Sequence, residues 1–379
     1  MGTAAPRVAL VHDWLTGMRG GERCLEVACE LFPDAPLFTL LHVPGSVSPT
    51  IERRRIVTSF VQRLPDAEAR YRQYLPLFPA AVRGFDLSGY DLVISMSHCV
   101  AKAVRKPPGA LHVSYCFSPM RYIWDLYDDY FGARAPRLTR WLMPPLAAAL
   151  RAWDRRTAGV DAFVAISEHI AERIRRLYGR DADVIYPPVD VARFRVADRI
   201  DDYYLVVSAL VPYKRVDLAI AAANRLGRRL LVVGTGPEAA RLRAQAGPGV
   251  EFLGWRSDAE VAELYARCRA VLFPAVEDYG IVPLEAAAAG RPTIALARGG
   301  ALETMIGLGQ GAPPTAVFFA EQTERALGDA MLAFEAAAEQ FDPAALRARA
   351  SRFDRPAFRD RLREYVDERW QNFKARAAC

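Results

Sequence analysis

Ala-Val-Leu-Phe-Pro-Ala-Val-Glu-Asp-Tyr-Gly-Ile-Val-Pro-Leu-Glu-Ala-Ala-Ala-Ala-Gly-Arg-Pro, residues 270 to 292, is the stretch that decides the fold. Its short apolar run over 270–275 predicts a buried strand, and a loop over 277–282 follows. A short helix is predicted to begin at Pro283 and to end before Gly290, because proline suits a helix start and glycine a helix end. In a parallel α/β sheet this loop lies at the carboxyl end of a strand, where such folds bind ligands.

Two carboxylates belong to this stretch. Glu277 lies in the loop, and Glu285 is predicted to lie in the first helical turn, where free N–H groups and the helix dipole favour the ionised form. An ionised carboxylate accepts hydrogen bonds from the hydroxyls of a sugar or a ribose. The amides of Gly280, Ile281 and Val282 are predicted to hold phosphate oxygens at the helix N-terminus. Taken alone, the two glutamates would be explained better as a solvated loop residue and a helix-start residue, so the flanking residues decide.

The interior Gly-Ile-Val-Pro-Leu-Glu, between Glu277 and Glu285, resembles the E-x7-E signature of retaining, GT4-type glycosyltransferases of the GT-B fold. The resemblance covers nearly the whole chain and is strongest to bacterial polysaccharide mannosyltransferases of the WbaZ type. It implies an α/β protein of two Rossmann-like, parallel-sheet domains that face each other across a cleft, with a C-terminal helix that crosses back to the first domain. It also implies that Glu277 contacts the donor sugar and Glu285 the ribose of the nucleotide.

The length of 379 residues suits two domains of roughly 150 to 200 residues each. The expected N-terminal, acceptor-side domain covers residues 1–183, and a proline-stiffened linker covers 184–190. A nucleotide-sugar-binding domain is expected over 191–355. Residues 356–379 are predicted to form the helix that packs back on the first domain.

The amino-acid composition favours some classes of binding partner over others. The chain has 52% hydrophobic and 25% charged residues and a net charge of +6, which favours anionic partners such as a nucleotide diphosphate, an acidic lipid surface or a nucleic acid. Its six cysteines show no C-x-x-C spacing, so neither a zinc site nor a disulfide framework is expected. Because no secretory signal or apolar run of about 20 residues is found, we expect a cytoplasmic protein, with the inner face of the plasma membrane as an option.

The donor side is predicted from three further loops. Gly20 and Gly21 follow a predicted strand and would let the backbone approach a diphosphate. Lys214, with help from Arg215, is placed to neutralise the diphosphate leaving group. The family usually has an arginine five residues before this lysine, where the present chain has Ala209. Backbone near Gly234 is expected to contribute to a base pocket.

On the acceptor side the resemblance points to Asp13, Arg121, Tyr122 and Asp125, although a packed aromatic turn with a surface ion pair explains the last three almost as well. Relatives are expected to have a donor-contacting histidine near the position of Phe117, and phenylalanine cannot replace its hydrogen bond. That role is therefore either vacant or moved.

Two further histidines, His98 and His112, are each predicted to be structural, since neither has a partner at triad or metal-site spacing in the sequence. The pair Asp181 and Asp183 precedes a strand, which indicates a surface turn. No metal or other cofactor is therefore expected.

Two basic, aromatic stretches, 52–83 and 134–156, are compatible with a lipid-linked acceptor or an anionic membrane. A solvated helix face with a few packed aromatic residues explains the first stretch equally well, and packing against the sheet explains the second slightly better. Pro144 and Pro145 are predicted to break the second stretch into two parts.

The favoured interpretation is retaining transfer of a hexose from a nucleotide sugar to a glycan or lipid-linked saccharide in bacterial surface polysaccharide synthesis. The resemblance favours mannose from GDP-mannose, with a UDP- or dTDP-sugar as the alternative donor. A non-catalytic nucleotide-sugar-binding module is the main rival, because Phe117 and Ala209 replace two expected polar residues. A retaining glycoside hydrolase is less well supported, since Glu277 and Glu285 belong to one loop–helix unit. A nucleic-acid-binding protein is disfavoured, since the arginines form no recognisable reading motif.

Overall fold

The structure is a computed structural model that describes residues 5–125, 127–132, 137–310 and 313–377. The chain forms two compact units: Met1–Pro187 together with Phe358–Cys379, and Pro188–Ala357. Residues 134–136 of the second basic stretch and the last two residues of the predicted terminal helix lie outside the described residues.

The first unit contains a seven-stranded sheet in which every pairing is parallel. Its strands are rich in valine, leucine and isoleucine and are mostly buried, as expected when both faces of a parallel sheet are covered. The spatial order is β3-β2-β1-β4-β5-β6-β7. The strands are β1 (Val8–His12), β2 (Leu37–Thr39), β3 (Ile56–Thr58), β4 (Leu92–Ser97), β5 (Leu111–Cys116), β6 (Ala162–Ala165) and β7 (Asp183–Val184).

Helices of the first unit connect these strands. They are α1 (Gly20–Leu31), α2 (Pro49–Glu52), α3 (Ala67–Arg70), α4 (Phe78–Arg83), α5 (Tyr127–Phe131), α6 (Arg137–Arg156) and α7 (Glu168–Tyr178).

A six-stranded parallel sheet forms the second unit, in the spatial order β10-β9-β8-β11-β12-β13. Its strands are β8 (Tyr204–Val207), β9 (Leu230–Val233), β10 (Val250–Gly254), β11 (Val271–Phe273), β12 (Thr293–Leu296) and β13 (Ala316–Phe319). Its helices are α8 (Val216–Leu226), α9 (Ala239–Gln245), α10 (Asp258–Arg267), α11 (Ile281–Ala288), α12 (Ala301–Thr304), α13 (Glu324–Ala336) and α14 (Pro343–Ser351). Two Rossmann-like units of this kind match the predicted fold class.

Each sheet reverses its strand order at one place. In the first unit the reversal falls between β1 and β4, and in the second it falls between β8 and β11. At such a point the connections leave in opposite directions, which opens a crevice at the carboxyl ends of the two strands where α/β proteins bind ligands. Loops after these four strands are therefore the places to look for a site.

Helix α15 (Arg355–Ala377) follows the second unit in sequence, but from Phe358 onward it belongs to the first. Phe358, Leu362 and Val366 are buried, and the Phe358 ring meets the ring of Tyr115 on β5 edge-on at 5.8 Å. In the middle of the helix, Tyr365 Oη donates a hydrogen bond to Asp183 Oδ2 on β7 at 2.8 Å. The first unit is thus built from two separate parts of the chain.

Helix α6 corrects the prediction that two prolines would break the segment. It runs without interruption from Arg137 to Arg156, with Pro144 and Pro145 on its exposed side. Each proline removes one backbone donor, but Met143, Ala147 and Leu150 on the opposite side are buried and hold the helix against the unit. Val184, the first residue of the predicted linker, is the last residue of β7.

A buried ion pair ties α6 to the rest of the first unit. Lys102 Nζ lies 2.9 Å from Asp154 Oδ1, and both side chains are almost fully buried. The other carboxylate oxygen of Asp154 accepts hydrogen bonds from Trp124 Nε1 and Tyr178 Oη, each at 2.8 Å.

Among the described residues, no helix combines the length and apolar character needed to cross a bilayer.

Candidate active site

The strand reversal of the second unit holds an ion pair between Lys214 and Glu277. Lys214 ends a short 3-10 helix, Pro212–Lys214, in the loop after β8, while Glu277 lies in the loop after β11. The ammonium donates to Glu277 Oε1, and the two side chains are 21% and 15% exposed. Because they lie 63 positions apart in sequence and come from neighbouring strands, only the sheet topology brings them together.

Two glycines after β12 hold the backbone of Glu277. Glu277 and Gly299 form a parallel β-bridge, and Gly300 N donates to the Glu277 carbonyl oxygen at 3.0 Å. A Cβ on Gly299 would overlap that carbonyl oxygen, and one on Gly300 would overlap the backbone of Tyr279. The glycine pair therefore fixes the loop that presents Glu277.

Glu285 lies two residues deeper in its helix than predicted. Gly280 is the N-cap of α11 and the helix starts at Ile281, so Glu285 is its fifth residue rather than part of the first turn. Its Oε2 accepts a hydrogen bond from the buried Tyr265 Oη at 3.0 Å. The helix-start explanation for its charge is therefore wrong, and its predicted contact with a ribose stays a prediction.

The start of α11 supplies the predicted amides. Gly280 has φ of +84°, a left-handed conformation that suits glycine and turns the chain into the helix. Ile281 and Val282 are the first two helical residues, whose N–H groups have no partner within the helix. These donors and Lys214 can stabilise negative charge in the second unit.

Two other predicted donor-side residues, Arg215 and Gly234, lie in the loops after β8 and β9. Arg215 has φ of +51° and its guanidinium faces Asp217 at 3.1 Å, so its charge is already paired. Gly234 has φ of +135°, and a Cβ there would overlap the carbonyl oxygen of Ser208. This close approach lets the loop after β9 pack on the start of the loop after β8, the loop that also contains Lys214.

In the first unit, α1 begins at Gly20, so Gly20 and Gly21, which were predicted to lie in a loop, are helical residues. A Cβ on Gly21 would lie 3.4 Å from the ring of Phe117 and 3.6 Å from His12 Cε1. Burial raises the pKa of the Glu22 carboxyl, but the combined effect of His12, whose Nε2 lies 3.7 Å from Glu22 Oε1, of the backbone and of His98 leaves that pKa lowered. The start of this helix thus lies against a cluster of buried rings.

Asp13 has a different role from the one predicted. Its carboxylate is fully buried and accepts hydrogen bonds from four consecutive backbone N–H groups in the loop after β4. The donors are His98, Cys99, Val100 and Ala101, at 2.6 to 2.9 Å. Because these bonds occupy both oxygens, Asp13 fixes the loop and is not available to an acceptor.

Asp13 also orients His98, which the sequence led us to regard as structural. His98 Nδ1 lies 3.1 Å from Asp13 Oδ2, and the His98 side chain is 24% exposed. Because a carboxylate only accepts hydrogen bonds, its closeness to Nδ1 favours the tautomer with the hydrogen on Nδ1, which leaves the Nε2 lone pair available when the ring is neutral. Enclosure lowers the pKa of His98, against the opposing effect of Asp13. His98 therefore offers a neutral acceptor at the strand reversal of the first unit, near Phe117, with ring centroids 6.4 Å apart.

The remaining acceptor-side residues are only partly supported. Asp125 is paired with Arg173 and, at 3.3 Å, with Arg176, which ties the segment after β5 to α7. This ion pair explains Asp125 without a substrate. Arg121 and Tyr122 are half-buried in the same segment, and their contact with an acceptor stays a prediction.

Cysteines and metal ligands add little to the site. Cys24, Cys29, Cys99, Cys116 and Cys268 are buried and not in disulfides. Within the described ranges, no group of three or more potential ligands is arranged to hold a metal ion. Metal independence remains a prediction.

Two protein-family models match the chain. A glycosyltransferase family 4 model matches residues 19–193. A model for group 1 glycosyl transferases matches residues 201–335. The chain belongs to the GT4-type glycosyltransferases.

Curated relatives of this GT4-type chain include the D-inositol 3-phosphate glycosyltransferases of Mycobacterium bovis and Mycobacterium tuberculosis. They are 30% identical over 167 residues, which is 37% of this chain. The match spans only 35% of the length of those relatives. Their activity is therefore no direct guide to the substrates of this protein.

Solved structures show the fold of the GT4-type chain along nearly all of its length. The Anabaena protein HepE, in complex with UDP and glucose, has a TM-score of 0.71 at 17% identity and covers 96% of this chain and 100% of its own. Sucrose-phosphate synthase from Thermosynechococcus elongatus has a TM-score of 0.72 at 18% identity, with 96% and 99% covered. These GT-B structures agree with the predicted fold class.

Proposed function

We propose that this GT4-type protein transfers a hexose from a nucleotide diphosphate sugar to a hydroxyl group of a saccharide, with retention of configuration. The observation that carries the proposal is the Lys214–Glu277 pair, held where the strand order of the second unit reverses. A cation, a carboxylate and the amides at the start of α11 together suit a substrate that carries both a diphosphate and sugar hydroxyls.

The chemical step needs charge stabilisation more than a dedicated protein base. The bond between the anomeric carbon and the phosphate oxygen breaks, and its electron pair leaves with the nucleoside diphosphate. Lys214 and the Ile281 and Val282 amides stabilise the negative charge that develops there. The acceptor oxygen bonds to the anomeric carbon on the same face, and its proton passes to the departing phosphate oxygen. Glu277 orients the sugar hydroxyls and offsets the positive charge on the ring.

The first unit contributes His98 to this proposal. Its neutral Nε2 can accept a hydrogen bond from a substrate hydroxyl, while Asp13 fixes the ring through Nδ1. We therefore assign to His98 the sugar contact that the chain lacks at Phe117. The alternative, a binding module without turnover, drew support from that missing contact, and a histidine at this place weakens it.

GDP-mannose is the first donor to test, because the resemblance to WbaZ-type mannosyltransferases favours it. UDP-glucose is its main competitor, because HepE has been crystallised with UDP and glucose and with UDP-glucose. For the acceptor we propose a glycan or lipid-linked saccharide of bacterial surface polysaccharide synthesis. Peripheral contact with an anionic membrane would be consistent with such an acceptor.

A thermal-shift titration with GDP-mannose, UDP-glucose, UDP-GlcNAc and dTDP-rhamnose, without metal, tests donor binding. A donor that binds the folded protein raises its melting temperature in proportion to the logarithm of concentration above Kd. Release of nucleoside diphosphate and the anomeric configuration of the product then test transfer. Binding without release would establish the module, and an inverted product would exclude the retaining mechanism.

A further inference from the structure

The first unit contains an apolar groove that the proposed chemistry does not use. It has a volume of about 510 Å³ and lies among helix α6, the segment 71–78 and the loop that follows β1. Its walls are formed by Trp14, Leu75, Phe78, Leu142 and Met143, with further residues around them. A volume of this size falls within the roughly 300–1,000 Å³ that ligand sites occupy.

Part of the groove wall is unusually exposed for apolar residues. On α6, Leu138 is 67% exposed, Trp141 76% and Leu142 47%. Leu138 and Leu142 line the groove, and Trp141 lies between them in sequence. Contiguous exposed apolar side chains beside a concave surface indicate that an apolar ligand covers them.

Positive charge at the groove indicates that the ligand also carries an anionic group. Arg72 lines the groove, and no aspartate or glutamate is found among the described residues that form its wall. Arg137 and Arg140, exposed on the same helix, add positive charge close by. A ligand with an apolar tail and an anionic group matches this combination of surfaces.

One residue of the groove wall also contacts the candidate site of the same unit. Trp14 lines the groove, and its ring meets the ring of His98 edge-on with centroids 4.4 Å apart. Tyr122, predicted to contact an acceptor, lines it as well. A tail in the groove would therefore place the head group of its ligand beside His98.

We propose that this groove binds the hydrocarbon chain of an anionic amphiphile, a long-chain alcohol joined through phosphate to the acceptor sugar. The inference rests on the proposed transfer function, because it names the class of acceptor for the same reaction. It assigns Leu138, Leu142 and Arg72 to acceptor binding. It differs from simple adsorption to a bilayer, because it requires that single amphiphile molecules bind in the absence of a membrane.

Isothermal titration calorimetry with farnesyl phosphate, kept below the concentration at which it forms micelles, tests the groove. We expect saturable binding of farnesyl phosphate, at least tenfold weaker binding of farnesol, and no binding of inorganic phosphate. Leu142→Glu should weaken the binding of farnesyl phosphate at least tenfold. Leu332→Glu is the matched control, because Leu332 is 44% exposed on α13 of the second unit, and it should leave binding unchanged.

A second variant keeps the test valid if Leu142→Glu unfolds. Arg72→Gln should lower the affinity for farnesyl phosphate toward that for farnesol, whereas Arg83→Gln, an exposed position on α4, should not. Equal binding by wild type and both groove variants would overturn the proposal. So would binding only to phosphatidylglycerol vesicles and not to dispersed farnesyl phosphate, since that result indicates a membrane surface.

Nucleotide-sugar binding by the wild-type protein separates the two proposals. If a nucleotide sugar binds and farnesyl phosphate does not, the groove assignment fails and the transfer function stands. If farnesyl phosphate binds in the groove and no nucleotide sugar binds, the ligand class is right but the transfer function fails.

Discussion

The side chains of Lys214 and Glu277 each depend on the other for charge compensation, since both are largely enclosed. A donor diphosphate that approaches Lys214 competes with this carboxylate, while the sugar hydroxyls offer the carboxylate new donors. The same pair can thus hold the empty site in order and rearrange around the substrate. Both side chains keep some contact with solvent, so water can solvate a charge that loses its partner, and changes to either residue should affect turnover more than folding.

For Glu277→Gln we expect nucleoside diphosphate release to fall by about a hundredfold or more, because a preorganised charge in the site is lost. The melting temperature without donor should change little. Steady-state release from the best donor found by thermal shift measures the effect. Glu339→Gln, an exposed glutamate in the second unit, is the control, and full activity in Glu277→Gln would contradict the assigned role.

His98 gives the reaction an expected pH dependence. Because its pKa is lowered from the usual 6.5, the imidazole is neutral at pH 7 and Nε2 can accept a hydrogen bond. Turnover should stay constant from pH 8 down to about 6.5 and fall at lower pH as the ring is protonated. A pH–rate profile between pH 5 and 8 measures this.

His98→Asn should lower turnover by about tenfold, because one hydrogen bond worth about 1–1.5 kcal/mol is lost, and should remove the acid limb due to this ring. His169→Asn, on α7, serves as the control. An unchanged acid limb in His98→Asn would assign that limb to another group.

The sequence was informative about Glu277 and Lys214 but not about Asp13 and His98. Glu277 lies within a contiguous motif, and Lys214 follows a strand in a recognisable loop. Asp13 and His98 are 85 positions apart, and nothing local indicates that four backbone amides will surround the aspartate. Only the pairing of β1 with β4 brings them together.

At the scale of elements, α6 is held by one buried ion pair as well as by its apolar side. Lys102→Met leaves the Asp154 carboxylate buried without its cation, although Trp124 and Tyr178 still donate to it. We expect the free energy of unfolding to fall by about 3–5 kcal/mol. Denaturant unfolding at pH 7 measures the loss.

Lys106→Met is the matched control for that variant. Lys106 pairs with Asp161 where both side chains are 32% exposed, so its removal should cost about 1 kcal/mol or less. Equal losses in the two variants would show that burial of the Lys102–Asp154 pair has no special effect.

Strands with a clear apolar pattern could be predicted closely from the sequence, and β11 lies within the run 270–275 that predicted it. The continuity of helix α6 could not be predicted from the sequence, because its two prolines locally indicate a break. Packing of Met143, Ala147 and Leu150 keeps the helix continuous. Glu285 was misplaced because Gly280 in a left-handed conformation starts the helix before Pro283.

At the scale of the whole molecule, the first unit depends on residues that come after the second. Ending the chain at Ala357 removes the buried Phe358, Leu362 and Val366. Their burial contributes about 1.5–3 kcal/mol each, which together approaches the roughly 5–15 kcal/mol by which a typical domain is stable. We expect the first unit to lose its protection from hydrogen exchange while the second keeps it.

Hydrogen exchange followed by mass spectrometry, read peptide by peptide, measures this difference. Glu364→Ala, an exposed change on α15, should leave both units protected. Protection of β5 and β7 in the shortened chain would contradict the expected dependence on this helix.

The two-unit organisation could be predicted from length and resemblance, but the donor and acceptor could not. They depend on the shape of surfaces such as the groove beside α6, which is formed by residues from Trp14 to Leu146. Within the sequence these residues form separate stretches with no common motif, so their shared role emerges only in the folded unit.

The discontinuity of the first unit has a consequence for its biosynthesis. A ribosome that has translated as far as Ala357 has produced every residue of the second unit, which is continuous in sequence. The first unit, although started earlier, still lacks the apolar side of α15 at that moment. While the second unit is being synthesised, nascent chains therefore expose the surfaces around Tyr115 and Asp183 that α15 later covers. The second unit can complete its fold before the first, although the first is synthesised earlier.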